Sequence, residues 1–190
     1  MNGTFIAFAC YFGVDVVGLR SIVDFVLQQR LEDGGFNCRA NRSGARVSSV
    51  HSTASVIDGL SEYLRSGHNY RADEVEETIG TATSALLARN LYQRRSSGEP
   101  ISLEFTRLHH PARWHFDVLR GLDVLRCAGT AYDDRLDAAV SVILRRRLPD
   151  GRWSAASQYP GHVHVAYPRA SEPNKWITLR ALRVLAWATS

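Results

Sequence analysis

One pair of residues has the types and spacing for acid–base chemistry. His51 and Asp58 stand seven apart, two helical turns, so a helix would carry both on one face. An imidazole and a carboxyl so placed can trade a proton as general base and acid. His115 and Asp117 are two apart, beside Trp114 and just before Arg120; further on, Lys175, Trp176 and Arg180 repeat the mix of indole and cation. Aromatic faces attract cations, and guanidinium or ammonium groups attract anions. His51, Asp58, His115 and Asp117 are therefore the candidate catalytic groups, and Trp114, Arg120, Lys175, Trp176 and Arg180 the candidate substrate-binding groups. A plainer reading makes Asp58, Arg120 and Arg180 ion pairs between adjacent helices and the two tryptophans core. The other histidines, His68, His109, His110, His162 and His164, do not fall at metal-site spacings and have no clustered thiolate or carboxylate partners, so neither a metal nor a cofactor is expected.

The elements that must position these groups are read from an internal repeat. Leu19, Val23, Leu27, Arg30, Leu31, Asp33 and Gly34 recur in order as Leu136, Val140, Leu144, Arg147, Leu148, Asp150 and Gly151, and Phe36 is matched by Trp153. Each copy is an apolar helical stripe closed by an Asp-Gly turn, where glycine supplies the left-handed exit. Seven helices follow from apolar periodicity and stop signals, over 2–12, 15–31, 49–65, 73–92, 112–127, 134–148 and 174–188. Asp15, Asp73 and Pro111 are the expected start signals. Polar loops at 37–48, 93–111 and 151–172 separate the two members of each helix pair. Gly59-Leu60, Gly121-Leu122 and Ala181-Leu182 give a register for the second members. That register aligns Thr53, His115 and Lys175 in one column, Ser55, Asp117 and Ile177 in another, and Asp58, Arg120 and Arg180 in a third. A lone helix pair cannot bury its apolar face, so the pairs are expected to stack side by side. The fold class is all-α, a curved stack of helix pairs forming a single domain over 1–190.

Composition narrows the alternatives. Hydrophobic residues make up 45% and charged residues 22%, the balance of a globular chain. No apolar run reaches the ~20 residues that span a bilayer, and the apolar start lacks a basic region ahead of it. The net charge of +4 is carried by arginine, with Lys175 the one lysine. The arginines are scattered, without the continuous basic face of a nucleic-acid binder. Three cysteines, Cys10, Cys38 and Cys127, are too few and too widely spaced for a disulfide framework, which suits the cytoplasm.

The turns Leu31-Glu32-Asp33-Gly34-Gly35-Phe36 and Leu148-Pro149-Asp150-Gly151-Arg152-Trp153, with the helix starts Val50-His51-Ser52-Thr53 and 111–122, resemble those of the squalene cyclase and protein prenyltransferase β-subunit superfamily. The resemblance implies a terpenoid cyclase-like α/α toroid, here incomplete with about seven helices and read as the C-terminal part of a longer one. A second copy or an N-terminal half would complete the ring. It also implies an isoprenoid or other small-molecule ligand, with Lys175, Arg120 or Arg180 at helix starts holding a diphosphate and aromatic faces lining the cavity. The Asp-x-Asp-Asp motif of the cyclases and the Asp-x-Cys zinc pair of the prenyltransferases have no counterpart. The expected function is accordingly a terpenoid cyclase- or prenyltransferase-like protein that acts on or binds an isoprenoid. The alternatives are a non-catalytic helical-repeat binding module and a polysaccharide-active α/α toroid with Asp58 and Asp117 as its carboxylates.

Overall fold

A computed structural model describes residues 2–14, 16–161 and 164–189. Among them every regular element is helical: α1 (Asn2–Tyr11), α2 (Val16–Gln28), the single turn α3 (Ala40–Ser43), α4 (Val50–Arg65), α5 (Ala72–Leu87), α6 (Val118–Cys127), α7 (Asp137–Arg145) and α8 (Lys175–Trp187). Extended pairing among the described residues is limited to isolated bridges such as Arg147 with Trp153 and Ser154 with Pro173. No helix among the described residues is long and apolar enough to cross a membrane, and all three cysteines are free. The proposed start signal Asp15 and the loop histidine His162 lie outside the described residues.

All seven expected helices are present, with two boundary corrections. The fifth begins at Val118 rather than near residue 112. Ahead of it Arg113 turns through a left-handed φ of 51°, His115 closes a turn onto the Ala112 carbonyl, and the Asp117 carboxylate accepts the Arg120 amide at 2.8 Å. Such a cap sets a helix start more firmly than the proline upstream. The fourth helix ends at Leu87 rather than near residue 92, because Asn90 and Leu91 take positive φ values. That bend carries Leu91 and Tyr92 into the interior.

The chain divides into two compact units, 1–88 with 127–130, and 89–126 with 131–190. In the first, α1 lies directly on α4. A Cβ on Gly3 would meet the Ser55 carbonyl at 2.1 Å, and one on Gly59 would meet the Gly3 carbonyl at 2.2 Å, so both glycines are required for backbones this close. Thr4 and Ser55 hydroxyls hydrogen-bond at 2.8 Å across the contact. Ile6, Val23, Ile57, Leu60, Tyr63, Val75 and Ala82 form the surrounding core. In the second unit Leu91, Leu108, Phe116, Leu119, Leu122, Leu136, Ile143, Trp153, Ile177 and Val184 do the same.

The repeated turn is built twice with the same bonds, once in each unit. Gly34 and Gly151 both sit at φ 82°, a value that glycine adopts without strain. The Gly34 amide donates to the Leu31 carbonyl, and the Leu31 amide to that of Gly35; Gly151, Leu148 and Arg152 do likewise. The Phe36 amide donates to the Thr53 hydroxyl at 3.0 Å, and the hydroxyl donates back to the Phe36 carbonyl at 3.3 Å. Trp153 and Thr178 make the same reciprocal pair at 3.1 and 3.4 Å. The residue before each helix, Ser49 or Asn174, donates its amide to the aromatic residue's carbonyl at 2.8 Å. Both rings are buried, and the Trp153 indole also donates to the Ile143 carbonyl at 2.8 Å near the end of α7.

This clasp corrects the register between helices. Thr53 is equivalent to Thr178, not to Lys175, and the helix-start residues Ser49, Asp117 and Asn174 are equivalent to one another. On that register Ser55, Asp123 and Arg180 share a column, and the Arg180 guanidinium does lie 3.9 Å from the Asp123 carboxylate. The Thr53 slot in α6 falls on Gly121, where a side chain would collide with the Phe116 ring at 2.8 Å. A ring packed against glycine stands where the other two helices hold a threonine clasp.

Candidate functional site

The second unit gathers most of the chemistry-bearing residues around the starts of α6 and α8. Asp117 precedes α6 and Asn174 precedes α8, and both are buried. Loop residues 103–116 and 153–161 bring up the rest. Four rings stack in a row: Trp114 on His115 with centroids 3.8 Å apart, His115 on Tyr159 at 3.6 Å, and Tyr159 on His109 at 4.4 Å. A second group joins them along the sequence. His110 stacks on Trp176 at 5.7 Å and meets Tyr167 edge-on at 5.4 Å. The indoles carry the solvent side, with Trp114 61% and Trp176 46% exposed.

His109 is the buried end of the stack. Its Nε2 lies 3.1 Å from Glu104 Oε1, and its Nδ1 lies 3.4 Å from the Tyr159 hydroxyl. A carboxylate on one ring nitrogen fixes the tautomer and orientation of the imidazole. Burial and the neighbouring Glu104 push the Tyr159 phenol up to about 12, so it is held as a neutral donor. Burial, then the charge of Arg180, lowers the His110 pKa; burial, then His109, lowers that of His115. Both rings are thus held neutral near neutral pH.

Asp117 has a structural assignment that its sequence position did not reveal. One oxygen accepts the Arg120 amide at 2.8 Å and the other the His109 amide at 3.0 Å. Burial raises its pKa and the two amides oppose that rise. Its contact with Arg120 is through the backbone, while the Arg120 guanidinium donates to the Arg113 and His115 carbonyls at 2.8 and 2.9 Å. Arg120 therefore ties the stack's loop to α6. Arg113 reaches the Pro160 carbonyl at 2.8 Å, joining the same loop to the one that carries Tyr159.

The cations expected at helix starts divide by role. Lys175 is exposed, with its ammonium 5.3 Å from the centre of the Trp176 ring. Arg180 faces Asp123 instead. The backbone amides that could cradle an anion at the start of α8 are already taken, since Asn174 Oδ1 accepts those of Trp176 and Ile177 at 3.0 and 3.1 Å. His51 and Asp58 belong to α4 in the first unit, where both are half-buried. In that unit a recess of about 110 Å³ lined by Leu27, Arg30, Arg71, Glu74 and Glu77 lies on α2 and α5, well below the ~300 Å³ at which small-molecule sites begin.

Sequence reasoning missed Tyr159, Glu104 and His109 as partners. The signal available was the pair His109-His110 close to His115, with Tyr159 in the loop after the second Asp-Gly turn. Among the described residues no three His, Cys, Asp or Glu side chains converge as a metal-binding group. Compared with family models, with curated proteins and with solved structures, the chain matches none.

Proposed function

We propose that the chain is part of a terpenoid cyclase-like α/α toroid and binds an isoprenoid with an anionic head at the histidine–aromatic stack of its second unit. The observation that carries this reading is the stack itself: Trp114, His115, Tyr159 and His109 ring on ring, open to solvent at the indole end. The stack holds the Trp114 indole with its outer face open, a flat apolar surface for an unsaturated chain, and Lys175 beside Trp176 supplies a cation for a diphosphate. The duplicated clasp, one aromatic turn pinned to one helix start in each unit, supports the repeat architecture. The action is binding rather than turnover. Asp117, the buried carboxyl of the site, accepts a backbone amide on each oxygen, the work of a helix cap and loop anchor. The same commitment weighs against the polysaccharide reading, which needs two working carboxylates.

Titrating the protein with farnesyl diphosphate, farnesol and inorganic diphosphate, read by tryptophan fluorescence, tests this. Farnesyl diphosphate should give a saturable change and be recovered unaltered. Trp114→Ala should weaken its binding about tenfold, near 1.4 kcal/mol, and Lys175→Gln should affect farnesyl diphosphate but not farnesol. The absence of saturation by either prenyl compound would end the proposal.

A further inference from the structure

The strongest unused feature lies in the first unit. Helix α1 packs on α4 through Gly3, Ile6, Ala9 and Cys10, which are buried. Phe5, Phe8 and Phe12 recur at three and four residues, so they form a stripe on the opposite side of the helix. They are 52%, 60% and 74% exposed, and the neighbouring Tyr11, Val14 and Val17 are 75%, 48% and 69% exposed. From residue 2 to residue 14 there is no Asp, Glu, Lys, Arg or His.

We infer that this face of α1 pairs with the same face of a second copy of the chain, in an antiparallel two-fold dimer centred near Phe8. Area is the first argument. At roughly 150–250 Å² per aromatic side chain, the exposed fractions of Phe5, Phe8, Tyr11 and Phe12 leave about 500 Å² of apolar surface uncovered. Two such faces together bury about 1,000 Å², the least that a specific interface takes, and each alone stands toward the top of the ~300–600 Å² range of the largest patch on a monomer. Charge is the second. An occupant that brought charges would have to desolvate them against a face with nothing to pair them, whereas a second copy brings none. A membrane surface would favour Lys or Arg within and just after the stripe, and residues 2–19 hold neither. Geometry is the third. The spacing 5, 8, 12 nearly reverses onto itself, so an antiparallel partner sets Phe5 against Phe12 and brings the two Phe8 rings together, as a two-fold interface requires.

Sedimentation of the full chain across the micromolar range is the test. The wild type should run at twice the 21.2 kDa monomer mass. Phe8→Glu should run as a monomer at the same concentrations with an unchanged circular dichroism spectrum, and Leu179→Glu, on the exposed face of α8, should remain a dimer. A second variant is read as a gain rather than a loss: Phe8→Cys in a Cys38→Ser background should cross-link to a dimer under mild oxidation, and Gln28→Cys in the same background should not. A monomeric wild type, a dimer that survives Phe8→Glu, a dimer lost through Leu179→Glu, or a monomer that instead pellets with phospholipid vesicles would each overturn the inference.

Discussion

At the scale of single residues, the candidate groups separate by what their polar atoms already hold. Asp117 is a candidate catalytic group in sequence because it aligns with polar residues of neighbouring helices, but its oxygens close the start of α6 and anchor His109. A cap and a catalytic carboxylate look alike in sequence; only the amides facing them differ. Trp114 and Trp176 stand open in sequence between lining a cavity and stapling a turn; both rings are exposed, and the Lys175 ammonium lies over that of Trp176. The histidines give a sign-specific prediction. Burial with Arg180 for His110, and burial with His109 for His115, lowers both pKa values from the ordinary 6.5. The unfolded chain then binds more protons than the folded one as pH falls below about 6.5, so stability present above that value is lost as pH drops through the depressed folded values. Denaturant unfolding between pH about 7.5 and 5 should show this loss, and His110→Asn should flatten it. An unchanged slope in the variant would mean that His110 is not held neutral by the fold.

At the scale of elements, the helices were legible from periodicity, and the turns from the repeat of Asp33-Gly34 as Asp150-Gly151. The register was not. Gly59-Leu60, Gly121-Leu122 and Ala181-Leu182 look equivalent, yet the clasp pairs Thr53 with Thr178, about one turn away from that alignment. The reason is physical: Gly59 is small to admit α1, and Gly121 is small to admit Phe116, two unrelated demands that leave the same letter. The marks that carry the register are the polar residues just before each helix, Ser49, Asp117 and Asn174. If the clasp is a unit of stability, Thr53→Val leaves the Phe36 amide buried without its partner and should cost about 1–3 kcal/mol. Truncating the ring that the clasp holds, Trp153→Ala, should cost about 3–5 kcal/mol. Urea unfolding measures both, and losses below about 1 kcal/mol would show that the clasp is incidental.

At the scale of the whole molecule, the two units each repeat one construction: helix, aromatic turn, and a second helix whose fourth residue grips the turn. The second unit adds a loop that stacks its histidines on Tyr159, and there the ligand reading rests. That partnership was hidden in the sequence because Tyr159 is some fifty residues from His109, and only folding brings the two loops together. The central claim is that this stack, and not the half-buried His51 of α4, takes the ligand. Imidazole resonances of the labelled protein, recorded by nitrogen–proton correlation during a farnesyl diphosphate titration, test it most directly. The account predicts progressive, saturating shifts at His109, His110 and His115 with His51 and His68 unmoved; shifts confined to His51, or none at all, would contradict it.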